Sequence, residues 1–470
     1  MHATAHDFPA NAKKALGDAR LQGTLGVIEG NRQRRAATIA RLPEWDQLRE
    51  AAKAIKTHTL KNLDLYLERY EAAVTAAGGS VHWARTSAEA NAIVTAICRA
   101  AGARRIAKGK SMIGEEMGLN EHLVAQGLEP IETDLGEYII QLRGEPPSHI
   151  VMPALHLSAA DIADTFRSHH RDLDPSRPLE ADQALLDEAR SKLRQAFLSA
   201  EVGITGANFL IAESGSSLIV TNEGNGDLSQ SLPRVHIVLA SLEKLVPTFE
   251  DAAVILRLLA RSATAQEFTS YCTISTGPRR ATDSAGPAQY HVVLLDNGRS
   301  AMLGTPFEDM LRCIRCAACL NHCPVYNAVG GHAYGWVYPG PMGAVLTPSL
   351  VGIEEAGHLP NASSFCGRCE EVCPMKIPLP KMMRHWRERQ FSHGLGSPTP
   401  RWGVRLWAFF ATRPRLYRLA AAAAAWALGR LGAKQGGFRR LPLAGGWTGT
   451  RDMPAPQGRS FHALYAERRR

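Results

Sequence analysis

The chain has no long apolar run, no export-type leader pattern and no nucleotide fingerprint, and each absence removes a class of function. Its alanine-rich apolar stretch, Leu419–Gly429, spans only 11 residues, about half of the roughly 20 that an α-helix needs to cross a bilayer. No spanning helix is expected. The opening residues, MHATAHDFPANAKKALGDAR, lack the apolar centre of a secretory leader, so a cytoplasmic placement is expected. No GxGxxG follows a strand into a helix, and no GxxxxGK followed by Ser or Thr occurs. The nicotinamide and P-loop phosphate cradles are therefore missing, although these absences do not bear on a flavin. Zinc-finger spacing and aromatic-glycine RNA signatures are missing too, and no nucleic acid partner is expected.

The chain is not short of core-forming residues. Hydrophobic residues make up 45% and charged residues 21%, which excludes a mostly disordered chain. A length of 470 residues suggests about three domains. The net charge of +9 is uneven: residues 401–470 hold 14 Lys or Arg against 2 Asp or Glu, a balance of +12, which leaves −3 for residues 1–400. A basic tail can meet an anionic membrane surface or an acidic protein. Trp402, Trp407 and Trp426 lie near several arginines, a pattern suited to the inner face of a membrane and a quinone-linked acceptor. A helical packing unit is the plainer reading of the same residues.

Four segments follow from the patterning. Residues 1–70 read as a helical lead-in, with apolar residues at helical spacing and a stop near Gly78-Gly79. Over 71–300, the runs RRIAKG, LEPIETDLG, PSHIVMP, SSLIVT, RVHIVLAS and QYHVVLLD alternate with helical stretches such as SMIGEEMGLNEHLVAQG. This alternation predicts an α/β layer domain with a largely parallel sheet. Residues 301–390 read as a small α-helical cofactor domain in which PGPMG, at 339–343, marks an irregular connection. Residues 391–470 form the basic Arg/Trp-rich extension, and roughly its last 35 residues are expected to be poorly ordered.

Seven of the nine cysteines fall between Cys313 and Cys373. Closely spaced cysteines in a reducing compartment point to metal rather than to disulfides. Cys313, Cys316, Cys319 and Cys323 form a CxxCxxCxxxCP run ending at Pro324, the bacterial [4Fe–4S] pattern in which the fourth cysteine serves the other cluster of a two-cluster site. Cys366, Cys369 and Cys373, followed by Pro374, repeat the last three cysteines of that run. Two iron-sulfur clusters are therefore expected. By the crossed rule Cys313, Cys316, Cys319 and Cys373 hold one, and Cys323, Cys366 and Cys369 hold the other. Ser363 stands where the eighth cysteine belongs. A serine or other ligand, an open labile iron, or a [3Fe–4S] centre are all compatible with that gap, and [4Fe–4S] is preferred for both sites. Structural zinc needs four ligands per site, which the three remaining cysteines cannot supply. Cys98 and Cys272 lie in apolar helical and strand patterns and are expected to be buried thiols.

The stretches GEYIIQLRGEPPSHIVMPALH (136–156) and ITGANFLIAESGSSLIVTNEGNGDL (204–228), together with the paired cysteine groups, resemble the lactate-utilisation protein B family. The resemblance covers most of the chain. It implies a domain of the sugar-isomerase/CoA-transferase α/β type followed by an α-helical ferredoxin domain and a basic extension. It also implies a cytoplasmic protein that works with the A and C companion proteins of the same system to oxidise L-lactate to pyruvate, contributing electron transport. Cluster ligands carry over onto all seven clustered cysteines, with Ser363 leaving the eighth open.

The α/β segment admits two readings. ESGSS (213–217) and TNEGNGD (221–227) flank Leu218-Ile219-Val220, so Glu213 and Asn222 stand at opposite ends of a strand. Small polar and glycine residues with Lys108 and Lys110 could cradle an anion; alternatively they are turns beside solvated lysines. The leading reading is an electron-transfer component whose catalysis depends on partners. The alternative is that this chain itself oxidises a 2-hydroxy acid in the α/β domain.

Overall fold

In the computed structural model, which describes residues 4–396, 398–432, 436–441, 448–449 and 451–469, the apolar runs become strands of two sheets. In chain order these are β1 (Ser80–Ala84), β2 (Arg105–Lys108), β3 (Glu129–Glu132), β4 (Val202–Gly206), β5 (Phe209–Ile211), β6 (Ser216–Thr221), β7 (Val235–Ser241), β8 (Leu245–Val246), β9 (Tyr271–Ser275) and β10 (Gln289–Leu295). Six of them form one sheet in the order β1-β10-β7-β4-β2-β3, every neighbouring pair parallel. Parallel strands need both faces covered. Along β7, Ile237 and Leu239 pack with the helix Ser87–Ala100 on one face, while Val238 and Ala240 pack with Leu63–Ala76 on the other. That is the period-two alternation of a strand buried on both sides.

The second sheet, β8-β5-β6-β9, is mixed. SSLIVT is thus a strand, but of this smaller sheet rather than of the parallel one. PSHIVMP is not a strand. It runs between Pro147 and Pro153, and the His149 ring nitrogen Nδ1 accepts the backbone N–H groups of Val151 and Met152 at 3.1 and 2.9 Å, a local arrangement that replaces strand pairing. PGPMG also departs from expectation. It opens the helix Gly340–Val351, with proline in the first turn, where a missing N–H costs nothing.

Two compact units divide the chain, Met1–His393 and Gly394–Arg470. In the first, the N-terminal helices are more than a lead-in. Leu25, Ile28, Ala52 and Leu60 belong to the same apolar core as Phe307, Leu320, Cys323, Val345 and Trp386 of the cysteine-bearing segment. In the second, the helices Pro398–Ala411 and Pro414–Gly432 pack together, and β11 (Gly437–Phe438) pairs antiparallel with β12 (Met453–Pro454). The terminal stretch expected to be poorly ordered contains this pairing and the helix Phe461–Arg468; its residues 442–447, 450 and 470 lie outside the described residues. Among the described residues, no helix is long and apolar enough to cross a membrane.

Candidate iron-sulfur site and adjoining cavity

The two cysteine segments share one local backbone, shifted by 50 positions. Arg315 and Phe365 are left-handed, with φ of 58° and 55°, and so are Ala317 and Gly367, with φ of 60° and 80°. Short helices follow in both, Ala318–Asn321 and Arg368–Glu371, and these two helices pack against each other. Left-handed conformation costs a non-glycine residue roughly 1–2 kcal/mol, and such strain collects where function dictates the backbone. The shift pairs Cys316, Cys319 and Cys323 with Cys366, Cys369 and Cys373, and it sets Ser363 opposite Cys313. The Ser363 hydroxyl accepts the Phe365 N–H at 3.1 Å, closing its own turn.

Folding sorts the seven thiols into two groups. Cys313, Cys316, Cys319 and Cys373 line one gap whose walls include Met310, Ile314, Met342 and Met375. Among the described residues no three His, Cys, Asp or Glu side chains converge on a single metal-ion position; the thiols surround a space instead. Burial, reinforced by neighbouring cysteines, pushes the Cys316 thiol up to about 12, and burial pushes Cys373 up to about 11. In the other group burial, with Cys323 and Cys366 beside it, pushes Cys369 up to about 12. Cys319 interacts with Cys313, Cys316 and Cys373 and also with Cys369, so the groups adjoin. Bare thiolates are costly in such surroundings, and metal coordination is what deprotonates thiols of this kind. The donor set fits iron-sulfur ligation. Cys366 differs from the rest in being exposed.

Cations from distant segments hold the second motif. Arg49 donates to the Cys373 carbonyl at 2.9 Å and the Glu371 carbonyl at 2.8 Å, and Arg35 donates to the Val372 carbonyl at 2.8 Å. Both arginines come from the N-terminal helices, whose role here sequence patterning missed. Their charges also offset the negative charge expected of thiolate-bound iron.

A buried ion network ties the first motif to the parallel sheet. Glu243, just after β7, lies 3.0 Å from Arg299 and 3.2 Å from Arg315, the residue just before Cys316. Arg299 also grips Glu116 at 2.6 and 2.9 Å, and the Tyr338 hydroxyl donates to Glu116 at 2.7 Å. Burial alone would raise the Glu243 carboxyl, but Arg299 and Arg315 hold it at about 2. Lys56 adds hydrogen bonds to the Glu243 carbonyl and, at 3.0 Å, to the Leu245 carbonyl.

Against this network lies a cavity of about 370 Å³, lined by Lys110, Asn208, Asn222, Lys244, Ile314 and Arg315 among others. Burial, with Arg315 nearby, lowers the Lys244 ammonium to about 8.

Three segments of the chain match known family models. Residues 67–295 match the LUD domain, 309–377 the 4Fe-4S dicluster domain, and 394–470 the family described as lactate utilisation protein B, C-terminal. Lactate utilization protein B of Oceanobacillus iheyensis is 45% identical over 93% of this chain and 91% of that protein. Lactate utilization protein B of Geobacillus thermodenitrificans is 43% identical over 99% and 95%. The chain belongs to the lactate utilization protein B family. A further relative, from Escherichia coli K12 and described as "Uncharacterized electron transport protein YkgF", is 40% identical over 96% and 93%. A solved DUF162 family protein from Deinococcus radiodurans matches 50% of this chain and 98% of its own, at 14% identity and a TM-score of 0.28.

In this member of the lactate utilization protein B family the sequence-predicted pocket residues separate. Lys110 and Asn222 line the cavity, and the Asn222 side chain accepts the Ser270 N–H at 3.1 Å. Glu213 does not; its carboxylate accepts the Phe249 N–H at 2.8 Å and caps a helix. Lys108 is neither ligand nor solvated. It is fully buried against Glu132 and lies 3.3 Å from Glu115. Cys98 is buried as expected, whereas Cys272 is exposed, because β9 is an edge strand with little cover on either face.

Proposed function

We propose that the chain is the iron-sulfur electron-transfer component of a system that oxidises L-lactate to pyruvate and passes electrons toward a respiratory carrier. The observation that carries this reading is the pair of adjoining thiol groups inside a 4Fe-4S dicluster domain, in a chain whose relatives are described by lactate utilization and electron transport. Iron-sulfur clusters supply one-electron storage and transfer when bound. In this reading Cys313, Cys316, Cys319 and Cys373 ligate one, and Cys323, Cys366 and Cys369 the other. Arg35, Arg49 and Arg315 balance charge, while the apolar walls keep water away. The A and C companion proteins of the system are the proposed partners. Anaerobically reconstituted protein decides the matter: L-lactate reduces it only when the companion proteins are added. Reduction by L-lactate alone would transfer the oxidation of the 2-hydroxy acid to the α/β domain of this chain, a reading favoured by the cavity beside Ile314 and Arg315.

The second group is one thiolate short, and its missing partner is Ser363, whose hydroxyl already closes a turn. Mild oxidation is therefore expected to strip about one iron per chain from this site, giving the electron paramagnetic resonance (EPR) signal of a three-iron centre. Because the backbone repeat sets residue 363 opposite Cys313, Ser363→Cys is expected to suppress that loss, and Ser363→Ala to leave it unchanged. Equal iron loss in Ser363→Cys sinks the assignment.

The basic extension is proposed to rest on an anionic bilayer. Trp402 and Trp407 are 68% and 65% exposed, and arginine guanidinium groups cover the rings of Trp402, Phe409 and Trp426. Basic residues near such a surface contribute about 1 kcal/mol each. Cosedimentation with phosphatidylglycerol vesicles is expected to be strong and to fall with salt; equal binding to zwitterionic vesicles would contradict it.

A further inference from the structure

Strand order in the parallel sheet reverses between β2 and β4, since β3 lies on one side of β2 while β4, β7 and β10 follow on the other. In open parallel sheets, ligands bind beyond the carboxyl ends of the strands at such a reversal. The cavity of about 370 Å³ lies there: Gly109 and Lys110 follow β2, Gly206 ends β4 and Lys244 follows β7. Its volume is about that of a dozen water molecules, within the range of ligand sites. Its inner wall is Ile314-Arg315, the two residues between Cys313 and Cys316.

The other cations of that wall have close partners: Arg299 pairs with Glu116 and Glu243, and Arg315 with Glu243 and the Cys313 thiol. Lys244 meets Glu243 and Cys313 only at longer range. Among the described residues, no carboxylate lies within 4.0 Å of the Lys244 ammonium, and no hydrogen bond reaches it. Lys110 donates to the Val151 carbonyl at 2.6 Å and keeps two protons uncommitted. The lining carboxylates, Asp134 and Glu223, belong to the side shared with a second, more open groove. Met112, Ile219 and Leu259 supply an apolar surface between the two sides.

We infer that this cavity binds a small organic anion, a carboxylate or phosphate on a short apolar body, and that its binding is coupled to the redox state of the site formed by Cys313 and its partners. The coupling rests on the iron-sulfur reading above; the anion site does not. An anion in the cavity supplies the half-buried Lys244 ammonium with the close counterion it lacks. An electron added behind the Ile314-Arg315 wall repels the same anion. A unit charge roughly 10 Å away, at an effective dielectric constant of about 20, changes affinity by roughly tenfold. Linkage is reciprocal, so the anion lowers the reduction potential by the matching amount, about 59 mV per tenfold for one electron.

The test uses full-length protein with reconstituted clusters, prepared without oxygen, and two redox-inert probes: oxamate for the carboxylate class and glycerol 3-phosphate for the phosphate class. Calorimetric titration is expected to show one site for one probe, roughly tenfold weaker after reduction with dithionite. Whichever probe binds names the class. Lys244→Met is expected to weaken binding at least tenfold with iron content unchanged, and Lys244→Arg to restore most of it. Failure of both probes to bind below about 10 mM, or binding indifferent to Lys244→Met, overturns the site. Equal affinity in the oxidised and reduced states overturns the coupling. Iron analysis of the same samples reports separately on the cluster assignment, and titration of metal-free protein still tests the anion site should that assignment fail.

Discussion

Replacing Cys373 by alanine is expected to remove about half of the iron, some four of eight atoms per chain for two [4Fe–4S] groups, and to leave the same residual spectrum as Cys313→Ala. The two positions are 60 residues apart in the chain, yet their thiols line one gap, and Cys313 adds to the cost of ionising the buried Cys373 thiol. Cys366→Ala is expected to leave the complementary spectrum, because the Cys366 thiol acts on Cys323 and Cys369 instead. Iron and sulfide analysis with EPR of the three reduced variants distinguishes crossed from local ligation. Under local ligation Cys373→Ala would match Cys366→Ala, and the crossed assignment would be wrong. The thermal midpoint is expected to fall in each variant, since metal binding to the folded chain alone adds to stability. Far-UV circular dichroism shows whether the fold survives.

The cysteine pattern was legible because its information is local: three-residue spacing puts thiols on one side of a tight loop, and the repeat of the motif is visible as text. The strands β2, β3, β7 and β10 were legible for the same reason, as short apolar runs between turn residues. What could not be read depends on partners far along the chain. Arg49 finds the Cys373 carbonyl 324 residues away and Arg35 the Val372 carbonyl 337 residues away, so nothing near either arginine marks it as part of the cysteine housing. Lys108 and Lys110 look alike in sequence. One ends a buried strand against Glu132, while the other lies just past the strand end, where it reaches a cavity. Apolar content misled at PSHIVMP, where bracketing prolines and the His149 ring outweigh strand propensity. At Cys272 the neighbours in sequence suggest burial, but the edge position of β9 decides exposure.

Glu243→Gln is the substitution expected to damage the fold most. The carboxylate is 3% exposed and serves two arginines at once, Arg299 and Arg315. Neutralising it leaves a buried guanidinium charge without its counterion, a defect worth about 3–5 kcal/mol, against total stabilities of only about 5–15 kcal/mol. Glu213→Gln, which touches only a helix cap, is the matched control, and cap losses are about 0.5–2 kcal/mol. Urea midpoints of the cluster-loaded proteins at neutral pH measure both. The effect carries a pH signature as well. In the folded chain the Glu243 carboxyl is held at about 2, below its ordinary value of 4.5. Its contribution is therefore complete above about pH 4.5 and disappears as pH falls through that value toward 2. The gap in stability between wild type and Glu243→Gln should accordingly be widest near neutrality and narrow through that acid window. A gap under about 1 kcal/mol at neutral pH, within the range of exposed ion pairs, or one that does not change with acid, would mean that Glu243 does not join the cysteine segment to the sheet.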